Sequence, residues 1–336
     1  MKLQIKHPII PFILFIFFII ACHHDTYQSD CPGFDWLPIS PYESPLCHPS
    51  GLIIGFNHIP IEEIFYGYGY DCPRQANYIY DGNDRGFWLM NSDGSNMRKV
   101  LPYYLGTPTW SPDGNWIAFS RNGNIFKIPF NGESLDTSAI IQLTTCGMNY
   151  YPAWSTKGNL IAYDNTNCGT SVSPAPENSC GILIIDPFGN NSSFVIGGGR
   201  RFPYWGNATD TIYYGLFSFD LINRKETTIF DTKAARFSTS GRPLYNPLKD
   251  EIFFLGKFDN TPDPIRLYSI KPSGQGFKLI SNEEIKDFTI TPEGKVIYLL
   301  FNGYRITENQ GTLWCMDGDG SNKIQLTFNE FKISIK

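Results

Sequence analysis

Histidine is scarce and confined to one end of the chain: the five residues are His7, His23, His24, His48 and His58, with none beyond. A histidine-rich metal centre spread around repeated elements would need them distributed, and a Ser-His-Asp relay is left with His58 as its one available base. No Cys-x-x-Cys pair occurs, which argues against a zinc ribbon or a thioredoxin-like redox site. Positive charge is also short. With 27 Lys and Arg against 32 Asp and Glu, a net charge of −5 and no long charge runs, the chain lacks the basic stripe that nucleic acid requires. No long window is rich in Ala, Leu, Glu and Lys, so nothing favours a helical architecture.

The one long apolar run is at the start. Lys2 and Lys6 precede Ile9 to Ile20, broken only by Pro11, and this reads as a signal peptide over residues 1–21. Its end, Ile19-Ile20-Ala21-Cys22, resembles the bacterial lipobox, which implies that Cys22 becomes a lipid anchor. Acyl chains contribute about 0.8 kcal/mol per buried CH₂, enough to hold a protein on a membrane without spanning it. Residues 22–47 then read as the anchor and a Cys/Pro-rich linker, and 48–336 as a single folded domain. The expected location is a bacterial cell envelope, lipid-anchored at the outer membrane, with the periplasmic or surface face open. Of eight cysteines, Cys22 as anchor leaves an odd number. Cys168 and Cys180, flanking a Pro/Ser-rich loop, are the expected disulfide, with a second bridge among Cys31, Cys47 and Cys72.

What the sequence has in abundance is turns and strands: 15% aromatic residues, 31 Gly and 24 Pro. One unit recurs. "PTWSPDGNWIAFS" at 108 is echoed by "PAWSTKGNLIAYD" at 152, "PYWGNATDTIYYG" at 203, "PLYNPLKDEIFFL" at 243 and "FTITPEGKVIYLL" at 288, with a shorter "HPSGLIIGFN" at 48. Each is followed by a tail such as "GFWLMNSDGSNMRKVL" or "TLWCMDGDGSNKIQLT". A unit reads as four antiparallel strands: Pro-x-Trp ends the first, Pro-Asp-Gly turns, an alternating run makes the second, and Asn-Gly or Asp-Gly joins the third to the fourth. Such a sheet has two apolar faces, and stacking six about an axis buries them. The expectation is an all-β, six-bladed β-propeller closed by pairing its N- and C-terminal segments. "EFKISIK" at 330 would supply the strand missing before "HPSGLIIGFN". The alternative is seven blades, the extra one built from residues 23–47.

The repeats resemble the WD40-like PD40 family, whose units occur in the propellers of TolB, prolyl oligopeptidase and dipeptidyl peptidase IV; "WSPDGNWIAFS" and "LWCMDGDGSNKIQLT" carry the likeness most closely. The motif is specific for fold and weak for function. In the peptidases the chemistry sits on an α/β-hydrolase domain, and no GxSxG elbow is present here, so that activity is not expected. "MDGDGSN" at 316 superficially resembles a calcium loop, but it lacks the closing Glu and matches "MNSDGSN" at 90, so we read both as hairpin turns.

Two places are candidate binding surfaces. Residues 57–85 insert Tyr66, Tyr68, Tyr70, Tyr78 and Tyr80 between strands of the first blade, and tyrosines are enriched at interfaces. The links from each fourth strand to the next first strand should ring one channel mouth; they carry Tyr103, Tyr104, Tyr150, Arg200, Arg201, Arg242 and Lys286, a rim suited to acidic or carboxylated ligands. The resulting expectation is a non-enzymatic envelope propeller, without cofactor or metal, that binds or scaffolds another envelope protein. The alternative is glycan or peptide capture at the rim. An enzyme using channel carboxylates would need a paired acid and base, and none is legible.

Overall fold

In the computed structural model, residues 40–69, 72–145, 147–166, 180–207, 210–301 and 309–335 are described, side chains excepted at 65–69, 72–77 and 335. The first sheet comprises β1 (Tyr42–Cys47) and β2 (Ile53–His58). An insertion then forms β3 (Ile61–Gly69) and β4 (Cys72–Tyr80), after which β5 (Gly86–Asn91) and β6 (Arg98–Leu101) complete that sheet. The second sheet is β7 (Gly106–Trp110), β8 (Trp116–Arg121), β9 (Asn124–Pro129) and β10 (Ile141–Gln142), and the third is β11 (Asn149–Trp154), β12 (Ile161–Asn165), β13 (Gly181–Ile185) and β14 (Ser193–Gly197). The fourth follows as β15 (Pro203–Trp205), β16 (Thr211–Tyr214), β17 (Phe217–Asp220) and β18 (Lys225–Thr228). β19 (Phe237–Asn246), β20 (Glu251–Phe258), β21 (Arg266–Ile270) and β22 (Lys278–Ser281) make the fifth. β23 (Ile285–Ile290), β24 (Val296–Leu300), β25 (Leu313–Met316) and β26 (Ile324–Gln325) make the sixth. All six are antiparallel and four-stranded. The last strand, β27 (Lys332–Ile335), joins β3 and β4 in a three-stranded seventh sheet.

The tight turn after each first strand works as the sequence implies. Gly114 closes the Pro-Asp-Gly turn at φ 74°, and a side chain there would also collide with the His48 ring, whose Nε2 lies 3.2 Å from the Gly114 carbonyl. Middle strands are buried on both faces, as in Val296–Leu300, where every residue is buried. Their side chains fill the gaps between successive sheets. Phe87 and Leu89 meet Ile117 and Phe119, and so on around to the sixth sheet, whose Ile297 and Leu299 meet Ile54 and Phe56 of the first. Ile61 and Ile64 of the seventh sheet form a separate small cluster with Tyr78, Tyr80 and Phe331.

Three expectations are corrected. Among the described residues there are seven sheets rather than six, a count that favours the seven-blade alternative, although the additional sheet is built from the insertion and the C-terminal strand; of the stretch 23–47 expected to supply it, residues 23–39 lie outside the described residues. The C-terminal strand does not complete the first sheet. β27 runs parallel to β3, with Ile333 opposite Ile64, while the first sheet draws its first strand from β1. The folded region therefore begins before residue 48: Pro45-Leu46-Cys47-His48-Pro49-Ser50-Gly51 repeats the spacing of Pro108 to Gly114, so the first unit is complete without help from the tail.

Candidate functional site

The first strands β1, β7, β11, β15, β19 and β23 touch in chain order, β1 also touches β23, and together they wall a cavity of about 440 Å³. Pairing with the second strand slips near the start of β1, β7, β11, β19 and β23. At or beside the slips of β1, β7, β11 and β19, and just before β15, where pairing is regular, the backbone turns left-handed: Ser44 (φ 54°), Thr107 (45°), Tyr151 (53°), Phe202 (61°) and Gly241 (68°). All but Gly241 are followed directly by proline. A non-glycine residue held there costs about 1 kcal/mol or more, and bulges of this kind re-aim side chains beside binding sites. Here Ser44, Thr107 and Tyr151 face the cavity, joined by Arg242 and Asp287 from the corresponding positions of the fifth and sixth sheets.

Charge is gathered on one side of this mouth. The Arg242 guanidinium donates to the Pro152 carbonyl at 2.9 Å, and burial depresses its pKa against the opposing pull of Asp287 and Tyr151. Asp287 accepts the Phe288 N–H at 2.8 Å. Burial pushes its carboxyl up to about 6, although that bond and Arg242 both favour ionisation. Lys286, also in the wall, lies 3.8 Å from Glu43. Behind Tyr151, Asp164 is fully buried. Its Oδ2 accepts from the Phe202 N–H at 3.2 Å and from Arg201 Nε at 3.3 Å. Burial raises the Asp164 carboxyl as well, and its Oδ1 finds no partner among the described residues. Tyr151 thus stands among Arg201, Asp164, Arg242 and Asp287, its own hydroxyl pushed up mainly by burial.

The expected rim is only partly assembled. Arg242 and Lys286 line the cavity. Arg201 instead covers the rings of Phe202 and Tyr151 while pairing with Asp164. Arg200 bridges to Glu226 at 3.2 Å, a carboxylate that also accepts from Tyr214. Tyr150 pairs in register with Asp164 across the ladder and is not among the lining residues, because the bulge presents Tyr151 instead. Tyr103 and Tyr104 are covered by Arg121 and Arg85. In the insertion, expected as a loop, Tyr78 and Tyr80 stand 6.5 Å apart beside the small cluster of the seventh sheet. Tyr70 and the side chains of Tyr66 and Tyr68 lie outside the described residues.

Cys22, Cys31, Cys146 and Cys168 lie outside the described residues too, and Cys180 is disulfide-bonded. Cys47 and Cys315 are free thiols, so the second bridge does not use Cys47. Burial pushes the Cys47 thiol up to about 12, which keeps it protonated and unreactive at neutral pH. His58 is a core residue, stacked 4.2 Å from the Tyr42 ring with Nδ1 bonded to the Pro41 carbonyl at 2.7 Å. Among the described residues no three His, Cys, Asp or Glu side chains converge as metal ligands would, and no helix is long and apolar enough to cross a membrane.

The mouth offers a half-buried cation, a half-buried carboxylate and aromatic faces at the end of an axial cavity. That set suits a chain segment bearing charge and amide groups. The fold is shared with proteins of known structure. TolB from Acinetobacter baumannii matches over 88% of this chain and 65% of its own length, at 14% identity and a TM-score of 0.55. An oligogalacturonate lyase in complex with manganese matches over 85% and 77% at 10% identity and 0.53. The β-propeller domain of the trilobed protease from Pyrococcus furiosus matches over 87% and 86% at 13% identity and 0.50. No family model and no curated protein sequence matches the chain. The fold is that of a TolB-like β-propeller.

Proposed function

We propose that this chain is a protein-binding propeller of the bacterial cell envelope, lipid-anchored through Cys22, that takes an extended segment of a partner protein into the mouth of its axial cavity. The observation that carries the reading is that Arg242 and Asp287, both half-buried and each favouring the other's charge, stand together in the wall of a cavity of about 440 Å³. A half-buried guanidinium using one donor on Pro152 has others for a partner's carboxylate or carbonyl. The likeness to TolB supports the class of protein, and the lipobox-like end of the apolar leader supports the location. A ring of six four-stranded sheets, with the seventh outside it, is supported by the cluster that joins the sixth sheet to the first.

A second reading has one observation in its favour. Asp164 and Asp287 are both held above the usual carboxylate range around Tyr151, as an acid and base pair would be. Asp164, however, is occupied in pinning Phe202 and Arg201, which is a structural task. Crosslinked affinity capture from solubilised envelopes tests the first reading, comparing the wild type with Arg242→Ala, Asp287→Asn and a form lacking residues 59–83. A defined partner lost with the mouth variants supports it. Loss only with the deletion moves the interface to the insertion, and no protein captured by any form sinks it.

A further inference from the structure

The seventh sheet stands apart from the ring as an arm. Among the described residues its strands pair with none of the six four-stranded sheets, and its small apolar cluster contains no residue from them. It leaves the ring at the mouth end: His58 pairs with Tyr42, the Ile59 N–H donates to the Pro41 carbonyl at 2.9 Å, and Ser44, three residues on, is already in the cavity wall. The chain leading from Cys22 therefore joins the fold at the base of this arm. Alternation and register sort the arm into two unlike faces. Ile64, Tyr66 and Tyr68 of β3 share one with Tyr78 of β4 and with Ile333 and Ile335 of β27, and none of these is charged. The other face carries Glu63 and Lys332, and the Ser334 hydroxyl donates to Glu63 there. Ile64 is buried in the small cluster, but Ile333, opposite it in register, is 65% exposed. An uncharged face of aromatic and branched residues left open on one side of a sheet marks a contact surface.

We propose that this uncharged face lies in the interfacial layer of the bilayer that carries the Cys22 anchor, so that the arm is a second membrane contact and holds the mouth end of the propeller toward the lipid. Tyrosine suits that layer because its ring is apolar and its hydroxyl wet, and isoleucine beside it reaches the acyl boundary. The anchor by itself limits only distance. The stretch from Cys22 to Ser40 can extend to about 60 Å, whereas the nine-residue strands of the arm span about 30 Å, so orientation needs the second contact. A bilayer is favoured over a protein partner because the face offers no charge with which to select one, and the anchor already concentrates lipid at this end of the ring. The inference rests on the reading of Cys22 as a lipid anchor and is independent of what enters the mouth.

The test uses the full chain, purified from solubilised envelopes and reconstituted in vesicles of phosphatidylethanolamine and phosphatidylglycerol whose acyl chains carry a diazirine. After irradiation and digestion, mass spectrometry locates the lipid. The expected result is lipid on peptides from 61–80 and 331–336 and none on the turns at the far end of the ring, such as 111–115 and 186–190. Ile333→Asp should lower the yield from the arm about tenfold, with the main thermal transition unchanged. Ile324→Asp, at an isoleucine of the sixth sheet that is 60% exposed, should leave that yield as it is. The proposal is overturned if the arm carries no lipid, or if Ile324→Asp lowers the yield as Ile333→Asp does. The mass of the peptide containing residue 22 reports acylation separately. Acylated Cys22 with a clean arm removes this inference and keeps the anchor, whereas lipid on the arm of a chain with unmodified Cys22 keeps the contact and removes the anchor.

Discussion

Two buried titrations with opposite signs should nearly cancel in the pH dependence of stability, and separating them tests the burial of both groups. His58 is 4% exposed and its imidazole is pushed down to about 4 by burial, from 6.5. Between those values the unfolded chain binds the extra proton, so this group removes stability as pH falls. Asp287 is pushed up to about 6 from 3.8, so between those values the folded chain binds the proton first and acidification relieves a penalty. From pH 7.5 to 5 the linkage relation gives a loss of about 2 kcal/mol through His58 and a gain of about 1.4 kcal/mol through Asp287. The wild type should therefore change by less than about 1 kcal/mol through these two groups. His58→Gln keeps a donor for the Pro41 carbonyl and removes the imidazole titration; it should gain stability on acidification. Asp287→Asn should lose it. Asp84 near His58, and Glu43, Lys286 and Arg242 near Asp287, are common to all three proteins and drop out of the comparison. Urea midpoints followed by tryptophan fluorescence at the two pH values give the answer. If His58→Gln and the wild type respond to acid identically, His58 is not held neutral in the core and the assignment fails.

The tryptophans allow a comparison by unfolding midpoint: Trp205→Phe should cost about 1–3 kcal/mol because the buried Ala153 carbonyl loses its donor, while Trp110→Phe and Trp154→Phe, which break no such bond, should cost less. Asp164→Ala leaves the Phe202 N–H without its buried acceptor and should destabilise by about 1–3 kcal/mol, the half-exposed Arg201 returning to solvent, with Asp164→Asn recovering part of the loss in the same denaturation assay. Truncation before Phe331 removes β27 and opens one edge of the seventh sheet, yet it should leave the main thermal transition nearly unchanged, because the clusters between the six four-stranded sheets contain nothing from the tail.

The repeated heads were readable because Pro-x-Trp, the tight turn and the alternating run are local, and local spacing survives divergence. The first strand of the first head was missed for a chemical reason: Leu46-Cys47 replaces Thr109-Trp110, so a Pro/Cys-rich stretch looked like a linker although Pro45, Pro49 and Gly51 keep the spacing of Pro108, Pro112 and Gly114. The seventh sheet was illegible since its pairing joins residues such as Glu63 and Lys332, which no periodicity connects. At the mouth, Tyr150 was expected from its place in the link between sheets, and the left-handed turn at Tyr151 gives that residue the cavity position instead. The recurring proline was the signal for those bulges. Asp164 shares its place with Asn57 and Ser120, polar ends of second strands: Asn57 exchanges two bonds with Leu105 of the next link, and Asp164 accepts one from the Phe202 N–H of its own. A polar residue recurring there could have marked the position.

The six equivalent positions at the mouth separate what folding needs from what it does not. Ser44, Thr107, Tyr151, Phe202, Arg242 and Asp287 occupy the same step of their repeats, one before the position usually held by proline. Folding asks only that the chain pass a bulge there, and Ser44 meets that requirement with a small side chain. Nothing in closing a sheet calls for a desolvated guanidinium at one of these steps and a desolvated carboxylate at the next, each an expense in a wall where serine or threonine suffices. The departure from pseudo-symmetry is therefore the part of this propeller that its fold does not account for. It falls on the wall of the axial cavity, which is where a ligand must be recognised if the channel is to be selective.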